Sequence, residues 1–191
     1  MTPKHLITAI CLLGAFSLGT GGAFAQPQVS VKTNALYWAT ATPNLAVEIG
    51  LSPRLTLEVG GGANPFGSAD QSFEHWLLQP ELRWWFGRRF AGTFIGLHLH
   101  AGTYDVYGIE PLSTLKNNRY DGRMTGAGVS VGRHWLLGRR WGVEAEAGFG
   151  FARMRYDKYP FPLNDNATET AFKNTYFGPT RLNLSVVYYL R

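Results

Sequence analysis

Residues 181–190 of this chain read Arg-Leu-Asn-Leu-Ser-Val-Val-Tyr-Tyr-Leu. One face of this segment is apolar or aromatic and carries Leu182, Leu184, Val186, Tyr188 and Leu190. The opposite face carries Arg181, Asn183, Ser185 and Tyr189. A period of two residues is the signature of a β-strand, whereas a helix would mix the two sets on one face. The segment therefore predicts a strand with one apolar face and one polar face.

The same alternation recurs in seven earlier segments that are separated by turn residues. The composition agrees, because the 191 residues include 23 Gly and 14% aromatic residues but only 16% charged residues. Such a chain is too apolar for disorder, and Gly and Pro exclude a coiled coil. The eight predicted strands are approximately Val29–Ala39, Asn44–Leu51, Leu55–Asn64, His75–Phe86, Phe90–Asp105, Tyr120–Leu137, Trp141–Tyr156 and Tyr176–Arg191.

The connections between these segments differ in length in a regular way. Short turns at one end, long loops at the other and an even strand count are typical of an outer-membrane barrel. We therefore predict an all-β fold, an eight-stranded antiparallel up-and-down transmembrane β-barrel whose longer loops form a binding surface. The short turns are Ser52–Arg54, Gly87–Arg89 and Gly138–Arg140, and the long loops are Pro65–Glu74, Val106–Arg119 and Asp157–Thr175.

The charged face of the predicted strands also carries glycine, as in Gly142, Glu144, Glu146 and Gly148. A membrane barrel is apolar outside and polar inside, the reverse of a soluble barrel. An eight-stranded interior is just wide enough to be filled by side chains, so long charged groups need glycine beside them. The alternative is a soluble sandwich with a solvated polar face, which leaves the glycines unexplained.

An ion network is expected inside this barrel. The hairpin turns place Glu48 opposite Glu58 and Lys32 opposite Glu48. Two adjacent carboxylates repel unless a cation joins them, and Lys32 and Arg83 are the nearest cations. We predict a plugged polar lumen; the alternative is a narrow pore for small solutes. The predicted network, in which Arg181 reaches Glu144 or Glu146, is Lys32, Glu48, Glu58, Glu81, Arg83, His98, His100, Glu144, Glu146 and Arg181.

Two further patterns concern the strand ends and one strand interior. Pro80 lies in mid-strand, which predicts a bulge or a missing ladder bond. Trp and Tyr gather where hydrocarbon meets headgroups, so aromatic residues beside the Arg-rich turns support a membrane location. These residues are Trp84, Trp85, Phe86, Phe90, Trp135 and Trp141.

Three arginines form a second candidate site. Pairing across the Gly138 turn places Arg123 opposite Arg155 on the outward face, with Arg153 two residues along. Such a cluster could hold lipopolysaccharide phosphates bidentately; the alternative is a charged strand end outside the membrane. The net charge is +5, and the short turns carry Arg54, Arg88, Arg89, Arg139 and Arg140. We interpret these as a rim that faces water and headgroups, which favours membrane lipid over nucleic acid as the partner.

The sequence offers little for catalysis or metal binding. His98 and His100 share a face, but no nearby Cys or third His completes a ligand set, so we expect hydrogen bonding in the lumen. Ser130, His134 and a Glu could form a triad in a lipid-A-modifying enzyme, but no nucleophile-elbow motif is present. We therefore predict no catalytic residue, no metal and no cofactor.

The N-terminus predicts export. Basic Met1–Lys4, apolar Leu6–Leu18 and the sequence Ala23-Phe24-Ala25 form a signal peptide with its cleavage site. The apolar run is short of the ~20 residues that a membrane-spanning helix needs. We expect a cleaved signal at residues 1–25 and one barrel domain at 26–191, located in the cell outer membrane.

The opening Lys32-Thr33-Asn34-Ala35-Leu36-Tyr37, followed by Thr42-Pro43-Asn44 with Val47 and Glu48, carries a family resemblance. It resembles the small outer-membrane barrels of Bacteroides-type bacteria that are catalogued only as a domain of unknown function. Pro80-Glu81-Leu82-Arg83-Trp84-Trp85 is also similar, whereas Trp38 and the final Arg191 depart from the pattern. The resemblance implies an eight-stranded barrel of OmpA/OmpX-type size with no known activity. Genes of this kind often lie beside fimbrial components, which suggests a surface or fimbrial protein as a partner.

Overall fold

The computed structural model describes residues 28–67, 71–108, 118–160 and 170–190. The predicted signal peptide, residues 1–25, lies outside the described residues. No helix in the described ranges is long and apolar enough to cross a membrane. The elements are β1 (Val29–Asn34), α1 (Ala35–Ala39), β2 (Asn44–Gly50), β3 (Leu55–Asn64), β4 (Ser72–Trp85), β5 (Gly92–Tyr107), β6 (Asn118–Leu136), β7 (Trp141–Pro160) and β8 (Thr170–Leu190).

The strands form one sheet that closes on itself. Each strand pairs antiparallel with the next, and β1 also pairs with β8, so that Val29 lies between Ile49 and Leu190. The prediction of an all-β, eight-stranded, antiparallel up-and-down architecture is confirmed. We call the interior of the ring the lumen.

The first strand is shorter than predicted. It ends at Asn34, where the side-chain oxygen accepts a hydrogen bond from the Leu36 amide (3.0 Å) and caps α1. Residues 35–39 are therefore helical, not the end of a strand. Since this helix shifts the pairing of β1 with β2, Lys32 lies opposite Ala46, and Glu48 lies opposite Ser30. The predicted pairing of Lys32 with Glu48 was wrong.

Strand length increases around the ring, from six residues in β1 to 21 in β8. The predicted loops 106–119 and 157–175 are therefore partly strand. Apart from Gly108, which follows β5, their other residues, 109–117 and 161–169, lie outside the described ones. The upper parts of the four long strands form what we call the wall, made of residues 101–107, 118–125, 153–160 and 170–177.

Polar groups fill the interior of the ring, and apolar groups cover its outside. Glu48, Arg83 and Glu144 are 0% exposed, whereas Leu97 is 59% and Phe149 is 60% exposed. Glycine makes this packing possible at Gly96, where a Cβ would overlap the Glu81 carboxylate and the Ser130 hydroxyl. The sequence-based link between lumen charge and neighbouring glycine is confirmed at this position.

The aromatic residues near the short turns divide into two groups. Trp84 and Phe86 face outward, as do Trp135 and Trp141. Trp85 and Phe90 are buried inside the ring, so their predicted place at an outer girdle was wrong. Strand alternation explains the division, because Trp85 follows the outward-facing Trp84 and so points into the lumen.

Two prolines interrupt the sheet. Gln79 and Pro80 of β4 have no paired residue in β5, although the register is the same on both sides of the gap. This gap confirms the predicted missing ladder bond. In β8, the register shifts between Gly148 and Phe149 of β7, which lie opposite Arg181 and Pro179. The extra residue, Thr180, reverses the inward and outward alternation in the upper part of β8.

Candidate functional site

Arg83 lies at the centre of the lumen. Its guanidinium provides five N–H donors in a fixed planar arrangement and is 0% exposed. One side chain therefore joins carboxylates from four strands. Its nitrogens lie 2.6–3.1 Å from oxygens of five glutamates, Glu48, Glu58, Glu81, Glu144 and Glu146.

Lys32 joins the pair of glutamates that lie side by side in β2 and β3. Glu48 is directly opposite Glu58, as the turn at Pro53 predicted. The Lys32 ammonium contacts Glu48, lies 2.6 Å from Glu58 and lies 3.1 Å from Glu144. The prediction that Lys32 and Arg83 join the two carboxylates is confirmed. Lys32 reaches Glu48 diagonally across the ladder, because it lies opposite Ala46, two residues before Glu48.

Arg181 is the third buried cation of the network. It contacts Glu58, and its Nε lies 2.9 Å from Glu146. Its Nη2 also lies 3.5 Å from Glu81. Of the two predicted partners, Glu144 and Glu146, it contacts Glu146.

Both predicted lumen histidines are buried beside this network. His98 Nε2 lies 2.9 Å from the Thr180 hydroxyl, and His98 Nδ1 lies 4.0 Å from Glu81. The His100 ring is 5.9 Å from the His98 ring, and Nδ1 of His100 has no hydrogen-bond partner among the described residues. The described part of the chain holds no group of three His, Cys, Asp or Glu that could bind a metal ion.

Several polar side chains extend the network beyond the predicted set. The Ser130 hydroxyl donates to Glu81, whereas His134 lies 3.0 Å from Glu144 and also bonds the Tyr189 hydroxyl. Ser130 and His134 thus contact different glutamates. Thr56 donates to Glu48. These residues lie on the same strand faces as the glutamates, so the alternation of polar and apolar residues was a signal from which they could have been predicted.

The lumen is closed by aromatic side chains at its short-turn end. The rings of Trp85 and Phe94 are 4.8 Å apart, and those of Phe90 and Tyr189 are 5.9 Å apart. The guanidinium carbon of Arg83 lies 4.4 Å above the Phe94 ring. This aromatic layer is therefore continuous with the ion network above it.

A small cavity lies between the network and α1. Tyr37 reaches from α1 towards β4 and donates to the Gln79 side chain (3.1 Å). The cavity measures about 30 Å³, which is enough room for a water molecule. Lys32, Glu58 and Arg181 line it, and within the described ranges Nη1 of Arg181 has no hydrogen-bond partner.

The two Asn residues of the opening motifs join β1, β2 and β8. Asn44 accepts a hydrogen bond from the Asn34 amide (2.6 Å) and donates to the Asn34 carbonyl (3.0 Å). The Asn34 side chain donates to the Leu182 carbonyl (3.0 Å) and to Asn183 (2.8 Å). These bonds hold the strand from which Lys32 enters the lumen.

The three predicted outward arginines lie together with a fourth cation. Arg123 of β6 is opposite Arg155 of β7, as predicted, and Arg155 is opposite Lys173 of β8. Arg153 lies two residues from Arg155 on the same face, and all four side chains are exposed. We call Arg123, Arg153, Arg155 and Lys173 the basic patch. The sequence did not reveal Lys173, because the predicted strand began at Tyr176.

Three aspartates form the next row on the same face. Asp121 lies opposite both Asp105 and Asp157. Arg119 binds Asp105 through Nε (2.9 Å) and Nη2 (2.5 Å), and this hydrogen bonding raises the pKa of Arg119. Burial, followed by the charge of Asp105, raises the pKa of Asp121 above its usual range.

The inward side of the wall is aromatic. The ring centres of Tyr120 and Tyr156 are 5.7 Å apart, and Phe172 stacks on Tyr156 at 5.4 Å. The Lys158 ammonium lies 5.7 Å from the Tyr120 ring centre. The wall thus presents an aromatic surface above the lumen.

Comparison with protein families identifies a match over nearly the whole chain. A family model described as protein of unknown function (DUF3575) matches residues 7–190. No curated protein matches the chain. The description names no activity and no partner.

Proposed function

The chain belongs to the DUF3575 family, and we propose that it is a non-enzymatic β-barrel of the Gram-negative outer membrane. In this proposal it is exported through a cleaved signal peptide, its polar lumen is plugged, and its wall and outer loops interact with other molecules. Membrane lipid, including lipopolysaccharide, and a surface or fimbrial protein are the proposed partners.

The inverted distribution of polarity carries this proposal. Charged Glu48, Arg83 and Glu144 are fully buried, whereas Leu97, Val129 and Phe149 are about 60% exposed. Water would penalise the exposed apolar groups, but lipid hydrocarbon would solvate them. In β7, the apolar and aromatic outward positions extend over residues 141–151, which matches the about 9–11 residues that a tilted strand needs to span a bilayer.

The filled lumen supports a plugged barrel over a pore. The ion network occupies its centre and the Trp85 layer closes one end. Planar-bilayer recording of the purified protein tests this. We expect no stable ohmic conductance, and a reproducible open pore in the wild type would contradict the plugged lumen.

The local geometry also supports a non-enzymatic role. Ser130 is 6% and His134 is 3% exposed, and both face the lumen. A lipid substrate would approach the outside of the barrel, where neither side chain is accessible. Lipid A from a deletion strain should therefore keep its wild-type mass, and a mass change would favour the enzyme.

The wall supports an interaction surface. The strands β7 and β8 have 20 and 21 residues, about twice what a span requires. On the side of β1, the pairing of β8 begins only at Ser185. The Asn34 and Gln79 side chains bond the Leu182 and Thr180 carbonyls of this edge, and above Thr180 none of the described strands pairs with it. This upper part of the edge is the proposed place for an added strand, a recurrent mode of protein recognition.

Cysteine labelling tests the insertion and orientation together. The chain has one Cys, Cys11, inside the predicted signal. An Ala171→Cys variant should react with a membrane-impermeant maleimide on intact cells. The matched Arg54→Cys variant, in a short turn, should react only after the outer membrane is permeabilised. Equal labelling of both sites in intact cells, or recovery of the protein in a soluble fraction, would contradict the proposal.

A further inference from the structure

Three cations of the basic patch form a row across adjacent strands. Arg123, Arg155 and Lys173 occupy directly paired positions in β6, β7 and β8. The Cβ atoms of such neighbours lie about 4.5–5.5 Å apart, and like charges at this spacing destabilise a sheet. Arg153 adds a fourth positive charge on the same face. An anion between these side chains would remove their repulsion.

Within the described residues, the patch has no internal counterion. None of its four side chains forms a salt bridge within those residues. The outward salt bridge of this region joins two other residues, Arg119 and Asp105. The carboxylates of the next outward row, Asp121 and Asp157, lie opposite each other. Each is two residues further from the apolar surface than the cation of the same strand. In the part of the chain that the structure describes, the side of the patch that faces the apolar surface therefore carries no carboxylate.

An aromatic surface lies directly beneath the patch. Phe149 and Phe177 are 60% and 72% exposed, and the Phe177 ring is 6.3 Å from the Phe151 ring. Arg153 follows Phe151 by two residues on the same face of β7. Cations and exposed aromatic rings are thus adjacent on one continuous surface.

We propose that the basic patch and the Phe149–Phe151–Phe177 surface together bind a phosphorylated lipid of the outer leaflet. This inference rests on the proposed membrane function. Guanidinium groups bind phosphate bidentately, and the aromatic rings would contact the acyl chains. A free phosphate would use the cations alone, so the adjoining rings favour a lipid as the ligand.

Paired charge variants test the proposal. The patch variant replaces Arg123, Arg153, Arg155 and Lys173 by Gln. The control variant replaces Arg54, Arg88, Arg139 and Arg140 of the short turns by Gln, with the same change in net charge. Each protein is inserted into phosphatidylcholine nanodiscs, and the binding of added phosphorylated lipid A is measured. We expect the patch variant to lose affinity by about tenfold or more, since one tenfold step corresponds to only 1.4 kcal/mol.

Three comparisons of affinity would overturn the inference. They are wild-type affinity in the patch variant, an equal loss in the control variant, and equal affinity for dephosphorylated lipid A. Full competition by millimolar inorganic phosphate would also contradict a lipid site. If the wild type fails to insert into the bilayer, the proposed membrane function fails with it, which separates the two ideas.

A second variant keeps the test decisive if the fourfold change prevents insertion. Phe177→Ser leaves all four cations in place and alters a side chain that is 72% exposed. We expect it to weaken lipid A binding severalfold and to leave the binding of inorganic phosphate unchanged. Unchanged lipid A affinity in this variant would overturn the composite site.

Discussion

Glu48 and Glu58 lie directly opposite each other in β2 and β3, and both are buried. Two such carboxylates repel each other, yet Lys32 and Arg83 each contact both of them. The arrangement therefore depends on cations that arrive from β1 and β4. Closure of the ring brings these cations together, so the ion network and the sheet topology stabilise each other.

Arg83→Gln should be the most damaging single change in the network. It removes the cation shared by five glutamates and leaves them only Lys32 and Arg181, so the buried negative charge is less compensated, which costs about 3–5 kcal/mol. Arg83→Lys should fall between this variant and the wild type, because an ammonium lacks the planar set of donors. Urea unfolding in detergent micelles, followed by Trp fluorescence, measures the free energies. Exposed Arg54→Gln is the control, and an Arg83→Gln effect no larger than the control would refute the central role of Arg83.

Gly96→Ala should disturb the same network by steric overlap. Its Cβ would collide with the Glu81 carboxylate and the Ser130 hydroxyl, forcing one of them to move. We expect about 1–3 kcal/mol of destabilisation, as for other overpacked sites. Gly138→Ala is the matched control, since a Cβ there meets nothing within 4 Å. Equal stability of the two variants by urea unfolding would count against glycine as the space-making residue.

Leu97→Arg separates a lipid-facing surface from a water-facing one. Leu97 is 59% exposed in the middle of the apolar surface, and Leu137 is 67% exposed near a short turn. In a membrane, Arg costs about 2–4 kcal/mol at mid-depth and about 0–1 near the interface. Leu97→Arg should therefore refold into lipid vesicles less stably than Leu137→Arg. In water both exposed changes would be tolerated, so equal stability would contradict membrane insertion.

Asp121→Asn should stabilise the wall at neutral pH, whereas Asp105→Asn should not. Asp121 lies between two other aspartates, while Asp105 is the partner of Arg119. The pKa of Asp121 is raised by burial and by Asp105. The folded state therefore disfavours the ionised form, and this penalty is present at pH 7. The penalty is lost as the pH falls through the raised pKa of Asp121, and it is absent below the unfolded-state value of about 3.9.

The thermal midpoints of both aspartate variants and the wild type, measured at pH 7 and pH 3.5, check this prediction. The Asp121→Asn midpoint should exceed that of the wild type at pH 7 and approach it at pH 3.5. A lower midpoint for Asp121→Asn at pH 7 would contradict the repulsion.

Much of the architecture was predictable from alternation alone. The strand number, the up-and-down order and the pairing of Glu48 with Glu58 follow from period-two patterns and turn lengths. The helix at Ala35–Ala39 was not predictable in this way, because its residues also alternate acceptably as a strand. Its formation depends on the Asn34 cap and on bonds from Asn34 to β8, far away in the sequence.

The basic patch illustrates the same division. Arg123 and Arg155 are related by one hairpin, so local spacing was sufficient to pair them. Lys173 joins them only because Thr180 forms a bulge that reverses the facing of upper β8. Strict alternation counted back from the outward-facing Leu190 would turn Lys173 towards the lumen. The bulge that turns it outward has no simple sequence signature.

Which side chains share a face follows from the order of residues alone, because a strand turns successive residues to opposite sides and needs no partner to do so. Which of them come into contact depends on the closed sheet. Arg83 contacts carboxylates from four strands because the sheet curves into a ring and directs their polar faces to one centre. That convergence depends on closure between β1 and β8, a contact between the two ends of the described chain.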